Sequence, residues 1–200
     1  MELDTTLSGG QRVAFRVSTR YPFDERITIT PTRDLAAPIT LTLRIPAWAA
    51  GSASVTVNGQ EVPITGATVA VTRAFQNIDA IELILPLEPR FTWPHPSVDA
   101  VRGQVAVESG PLVLALEDVD LPDGITVDRV TVDTEVDPVS RGGGARVRLR
   151  VHPASARDWP FGQAETSTGE PLQADLIPYF RWANRGPSTM RVWLPTSQRG

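Results

Sequence analysis

Apolar and polar residues alternate with a period of two along most of the chain. Val13, Phe15 and Val17 alternate with Ala14 and Arg16, and Ile39, Leu41, Leu43 and Ile45 alternate with Thr40, Thr42 and Arg44. Val55 with Val57, and Val69 with Val71, repeat the theme, and Val147, Leu149 and Val151 alternate with Arg146, Arg148 and Arg150. Successive side chains of a strand point to opposite faces, so this pattern predicts strands with one face buried. Residues 112–116 and 81–85 are more continuously apolar, as strands covered on both faces are. Convincing helical periodicity is absent, and residues 154–159 are the place where a single turn is expected.

Turn residues separate the alternating runs. Asn58-Gly59, between Val57 and Val62, predicts a tight hairpin because both turn positions favour φ > 0. Arg141-Gly-Gly-Gly144 reads as a flexible hairpin loop, and residues 182–187 as a turn with Asn184 and Gly186 suited to φ > 0. Pro46, Pro86 and Pro195 each follow an alternating run and end its ladder. The spacing gives about a dozen short strands. The fold class expected is therefore all-β, with two antiparallel, jelly-roll-like β-sandwich domains. Two prolines crowd a strand end between Phe91 and Val98, which places the first sandwich at residues 1–94 and the second at 95–200.

Composition narrows the picture in a few places. The 200 residues are enough to bury a core without staples. No apolar run is long enough to span a membrane. All the basic residues are arginine, and the net charge of −4 argues against general nucleic-acid binding, which needs a basic footprint. With no cysteine, disulfides and thiolate metal sites are excluded. The acidic start Met1-Glu-Leu-Asp4 lacks the apolar stretch of a signal peptide, so a cytoplasmic location is favoured. The start at Met1 favours a short open reading frame.

Candidate chemistry is sparse. Glu108 and Glu117 flank Gly110-Pro111 and form the best carboxylate pair by position, but acidic residues on alternating strands usually face solvent or pair with arginine. His95 and His152 are far apart, each precedes a proline, and neither lies in a metal-spaced cluster. Asp118, Asp120 and Asp123 before Gly124 faintly resemble a calcium loop, yet the spacing is wrong for an EF-hand, and a solvated acidic turn is the plainer reading. Gly142 to Gly144 lack the Lys-Ser/Thr ending and the following helix of a phosphate cradle. Ser109 lacks a nucleophile elbow. Arg146, Arg148 and Arg150 share one face of one strand, an arrangement that suits a solvated face, an acidic neighbouring domain or sugar acids. No metal site and no cofactor are expected.

Aromatic residues carry the remaining signal, because Trp and Tyr rings offer sugars a flat apolar platform with a polar edge. They are Trp48, Trp93, Trp159, Trp182, Trp193, Tyr21 and Tyr179. Core packing, an interface and sugar contact all remain open for them. The interface or sugar-stacking candidates are Trp182, Asn184, Arg185 and Trp48.

Two longer stretches are distinctive: Ile177-Pro-Tyr-Phe-Arg-Trp-Ala-Asn-Arg-Gly-Pro-Ser-Thr-Met-Arg-Val-Trp-Leu-Pro195 and Val101-Arg-Gly-Gln-Val-Ala-Val-Glu-Ser-Gly-Pro-Leu-Val-Leu-Ala-Leu-Glu117. Upstream stand Tyr21-Pro-Phe-Asp24, Leu43-Arg-Ile-Pro-Ala-Trp-Ala49 and Val57-Asn-Gly59. Together, and in this order, they resemble the C-terminal end of glycoside hydrolase family 127, the β-L-arabinofuranosidase-like enzymes. The chain departs from that pattern at Leu114-Ala115, where the family often has Tyr-Cys, and at Phe75 and Ile78-Asp79, where it tends to have a Trp and a Gly-Asp turn.

The resemblance implies two β-sandwiches that stand behind an α-helical barrel. That barrel carries a cysteine nucleophile and a cysteine-bound zinc, and neither has a counterpart in this sequence. The implied function is an accessory region that braces the barrel, its partner, and hydrolyses nothing alone. The implied substrate class is arabinose-containing glycans. The alternative is a free-standing carbohydrate-binding module. An independent enzyme using Glu108 and Glu117 is a third, weaker reading.

Overall fold

Alternation sorts each strand into a face that packs and a face that does not. In the computed structural model, which describes residues 1–152 and 170–196, every regular element longer than a 3₁₀ turn is a strand. The all-β expectation holds. The chain divides into two compact units, Met1–Leu87 and Glu88–Gly200. The single turn expected at residues 154–159, and Trp159 with it, lie outside the described residues.

The first unit holds β1 (Glu2–Thr6), β2 (Arg12–Thr19), β3 (Arg26–Pro31), β4 (Ile39–Arg44), β5 (Ser54–Val57), β6 (Gln60–Glu61), β7 (Thr68–Arg73) and β8 (Ile81–Ile84). Six of them form one antiparallel sheet in the order β1-β2-β3-β8-β5-β6, and β4 pairs with β7 alone as a second, two-stranded layer. Val13, Phe15, Val55, Val57, Ile81 and Leu83 of the larger sheet pack with Leu43, Val69 and Val71 of the smaller in a single core. Phe75, which stands where the family pattern has Trp, is fully buried edge-on to Phe15, with ring centroids 5.7 Å apart. The smaller ring is itself wholly enclosed in this core.

The Asn58-Gly59 hairpin forms as expected, with φ of 53° and 78°. Its stability has a source that the dipeptide did not reveal. The buried Asp79 carboxylate accepts hydrogen bonds from Asn58 Nδ2 at 2.7 Å and from the Gln76 N–H at 2.8 Å, and Arg73 lies 3.2 Å away. Asn58 Oδ1 in turn accepts from the Ala80 N–H. The hydrogen bond from Asn58, with those of Gln76 and Arg73 beside it, holds the Asp79 carboxyl below the usual carboxylate range.

The second unit holds β9 (Pro89–Thr92), β10 (Gln104–Ser109), β11 (Leu112–Glu117), β12 (Val130–Val132), β13 (Val139–Arg141), β14 (Gly144–Val151), β15 (Glu170–Pro178), β16 (Met190–Arg191) and β17 (Leu194–Pro195). They belong to one continuous sheet, with the main path β12-β14-β15-β11-β10-β17. The sheet folds over until its ends meet in an isolated parallel bridge between Val132 and Thr196, so the two packed faces belong to one nearly closed sheet. Val105, Val107, Leu114, Leu116, Val130, Val132, Val147, Leu149, Leu176 and Leu194 fill the interior.

The glycine run is a tight hairpin. Gly142 and Gly143 take positive φ at the tip, and Gly144 lies so close to β15 that a Cβ there would sit 1.9 Å from the Leu176 carbonyl oxygen. The arginine row of β14 is neutralised within the unit. Arg146 makes a two-pronged pair with Asp175 at 2.6 and 2.9 Å, and Arg150 and Arg148 face the buried Asp133 at 3.1 and 3.5 Å. Cross-strand partners therefore account for a pattern that sequence spacing left open between solvent, a second domain and sugar acids.

Candidate functional site

The β10–β11 hairpin is zipped beside its turn, where Glu108 faces Val113 and Ser109 faces Leu112. At its open end the segment holding β16 and β17 joins both strands, β16 pairing with Leu116 and Glu117 and β17 with Gln104 and Val105. Between β15 and β16 the chain leaves the ladder at Pro178 and returns at Met190. That excursion carries Tyr179, Phe180, Trp182, Asn184 and Arg185.

Glu117 organises it. The side chain is 0% exposed, at the end of β11. Its Oε1 accepts the Ala183 N–H at 2.9 Å and its Oε2 pairs with Arg185. Arg185 also holds Asp120 with two nitrogens, at 2.8 and 2.6 Å. Asp118 accepts from Ser188 Oγ at 2.7 Å and Thr189 Oγ1 at 2.9 Å, while its N–H donates to the Thr189 carbonyl. Carboxylates of residues 117–120 thus grip the middle of the excursion at Ala183 and Arg185 and its C-terminal end at Ser188 and Thr189. Burial pushes the Glu117 carboxyl up, but the hydrogen bonds from Arg185 and the Ala183 N–H, together with the guanidinium charge, outweigh it and leave the group below the usual range. The two carboxylates raise the Arg185 guanidinium in turn.

This clasp fixes a strained backbone and presents aromatic rings. Ala183 sits at φ 60°, a left-handed conformation unusual for a residue with a Cβ, and its N–H is the one that Glu117 binds. The expectation that Asn184 takes positive φ is corrected here: Ala183 and Gly186 do so, because the carboxylate of Glu117 captures the Ala183 amide. Tyr179, Phe180 and Trp182 stand exposed, Trp182 at 41%, and Arg181 lies over the Phe180 ring. Asn184 is exposed, its N–H donating to the Arg181 carbonyl at 3.2 Å. Trp93 is exposed and Trp193 half-buried. Trp48 lies in the first unit, half-buried in a 3₁₀ turn against that unit's core, and Tyr21, in a loop, is also half-buried against it.

The carboxylates weighed as catalysts are engaged elsewhere. Glu108 pairs with Arg90 at 2.5 Å and accepts from Thr92 Oγ1 at 3.0 Å. Glu117 lies four residues along β11 from Val113, the cross-strand neighbour of Glu108. At about 3.3 Å per residue that is roughly 13 Å, beyond the ~5–10 Å that separates a glycosidase pair. A catalytic acid also needs a raised pKa, and Glu117 is shifted the other way.

Among the described residues no group of three or more His, Cys, Asp or Glu could hold a metal. His95 accepts the Ser97 N–H and His152 bonds Thr131. The cysteine-bound zinc implied by the family resemblance does not fit this chain, which has no cysteine to hold it. Asp118 and Asp120, read as a solvated acidic turn, are instead the anchors of the 179–189 excursion. That network was not legible in sequence, since its partners lie 65 or more residues apart.

Comparison with known proteins agrees with this architecture. Residues 1–87 match the β-L-arabinofuranosidase, GH127 middle domain, and residues 89–195 match the glycoside hydrolase family 127 C-terminal domain. A non-reducing end β-L-arabinofuranosidase of Bifidobacterium longum subsp. longum is 33% identical over 88% of this chain, which spans 29% of that relative's length. A crystal structure of a GH127 β-L-arabinofuranosidase from Geobacillus stearothermophilus T6 superimposes with a TM-score of 0.78 at 28% identity, covering 98% of this chain and 32% of that one. A solved structure described as a glycoside hydrolase gives 0.80 at 27% identity, again over 98% of this chain and 34% of the other. End to end, the chain corresponds to the middle and C-terminal β-rich domains of these larger enzymes, and it belongs to glycoside hydrolase family 127.

Proposed function

We propose that this chain is the non-catalytic β-rich region of a β-L-arabinofuranosidase-type enzyme, bracing a catalytic α/α barrel and helping to shape its rim. The observation that carries this reading is the pair of domain matches, which account for residues 1–87 and 89–195 while the chain spans only 29% of the B. longum relative. The engagement of Glu108 and Glu117 with arginines supports it, because neither carboxylate is left to protonate a glycosidic oxygen. Substrate chemistry in this reading belongs to the barrel, and the substrates are arabinofuranoside-containing glycans.

Trp182, with Tyr179 and Phe180, is the contact surface proposed within the second unit, and Arg185 is its positioning residue. Asn184 lies on the same excursion. Trp48 is a separate candidate on the first unit. Exposed rings on a rigid clasp suit a protein interface, where aromatic anchors contribute most of the affinity. They also favour a second reading, in which the same rings stack on a glycan.

Two assays separate the readings. The chain alone is expected to release no p-nitrophenol from p-nitrophenyl β-L-arabinofuranoside. Calorimetric titration with arabinose-containing oligosaccharides is expected to give no heat. Hydrolysis by the chain alone overturns the assignment of chemistry to the barrel, and its loss in Glu108→Gln or Glu117→Gln, checked as folded variants, would locate that chemistry at these carboxylates. Binding that Trp182→Ala abolishes moves the account to a carbohydrate-binding module.

A further inference from the structure

The first unit is lopsided. Six strands at about 4.8 Å spacing span roughly 25 Å, whereas two cover about 10 Å, so the β4–β7 layer cannot roof the whole inner face of the larger sheet. The uncovered part lies at the β1 side. Leu3 and Thr5 stand opposite Phe15 and Val13 in the antiparallel register, which puts all four on the core-facing side. Yet Leu3 is 50% exposed and Leu7 39%, although Val13 and Phe15 beside them are buried. A groove of about 460 Å³ runs over this face, walled by β1 and β2 below and by Pro38, Ile39, Thr40 and Leu41 at its side.

The side wall is a strand edge. Thr40 lies beside the groove together with Ile39 and Leu41, although successive side chains of β4 point to opposite faces, so the groove follows the backbone edge. Among the described residues β4 pairs with β7 alone, so the other edge of β4 offers its backbone N–H and C=O groups to the groove. An apolar floor beside an open ladder is the geometry that accepts one more strand: the ladder supplies main-chain bonds, and the floor takes every second side chain.

We propose that this groove is a slot for a single added strand, supplied by the part of the same GH127 enzyme that lies outside this region. The inference rests on the accessory-region reading above. The occupant is an extended segment with apolar side chains at alternate positions, lying antiparallel or parallel to β4 and covering Leu3 and Leu7. The relatives carry more than twice the length of this region as additional chain, so such a segment has a source. A second copy fits the slot less well. Its own β4 arrives joined to β7 and backed by a six-stranded sheet, whereas the slot, floored by β1 and β2, admits a lone strand.

Hydrogen exchange read by mass spectrometry tests this, with the chain alone and mixed with the remainder of the B. longum relative. The slot predicts that residues 39–44 slow by about tenfold or more on mixing, as amides entering a ladder do. Leu3→Arg, at a half-exposed position and checked for folding by circular dichroism, removes that protection. It also weakens the association about tenfold or more, because a charge cannot enter an apolar floor unpaired. Association or regained hydrolysis with residues 39–44 unprotected overturns the slot and leaves the accessory reading standing. Protection that grows with concentration in the chain alone overturns the occupant in favour of a second copy. Absence of any association overturns the accessory reading and the slot's occupant with it.

Discussion

Glu117 shows how a single side chain can organise a surface. It is a carboxylate at the end of a buried strand, and nothing in its neighbourhood in sequence announces a partner. Its partners, Ala183 and Arg185, stand 66 and 68 residues away. Glu117→Gln is expected to destabilise the chain by about 2 kcal/mol, because the buried side chain that receives the Ala183 N–H and the half-exposed Arg185 guanidinium loses its charge; urea unfolding measures it, and an unchanged midpoint contradicts it. The pH dependence follows from the same geometry. A depressed folded pKa means that the fold favours the ionised form. The stability from Glu117 and Asp79 is then fully present above their ordinary values near pH 4 and is lost as pH falls through the lower folded values. Stability is therefore expected to drop on acidification below about pH 4, and to drop less steeply in Glu117→Gln; identical acid profiles would contradict the assignment. At this scale sequence reading found the aromatic residues of the excursion but not that Glu117, Asp118 and Asp120 hold it, nor Ala183 as the residue at positive φ. Local propensity favours Asn and Gly at such a position, and a distant carboxylate outweighs that preference.

Elements were far more legible than their joins. Period-two runs located β2, β4, β7 and β14, because each has one face in a core and the pattern records that directly. Asn58-Gly59 and the Gly142–Gly144 run marked real hairpins because positive φ restricts the residues that can serve. The two-residue strands β16 and β17 left no pattern long enough to read, and they form because the open end of the β10–β11 hairpin offers partners on both sides. Gly144 gives the sharpest test at this scale. Its backbone approaches β15 so closely that any Cβ meets the Leu176 carbonyl. Gly144→Ala is expected to cost about 1–3 kcal/mol, as overpacking does, and to lower Tm by roughly 4–8 °C per kcal/mol for a unit of this size. Gly66→Ala, where a Cβ meets nothing, is the control and should leave Tm within about 2 °C. Equal effects at the two positions would contradict the close approach.

The whole chain is two β-rich units that match two consecutive family domains and none of the remaining length of its relatives. Family resemblance was readable because the Ile177–Pro195 and Val101–Glu117 stretches combine aromatic, arginine and glycine residues that a generic strand does not need. The 179–189 excursion shows why they occur together: the arginine clasps the loop, glycine turns it, and the aromatics face outward. The direct test of the proposed bracing role is hydrolysis of p-nitrophenyl β-L-arabinofuranoside by the catalytic part of the B. longum relative lacking its own C-terminal region, with and without this chain. The account predicts little activity from either piece alone and a rise of about tenfold or more when they are mixed, reduced by Trp182→Ala. Full activity from the truncated catalytic part, unaffected by adding the chain, would contradict it.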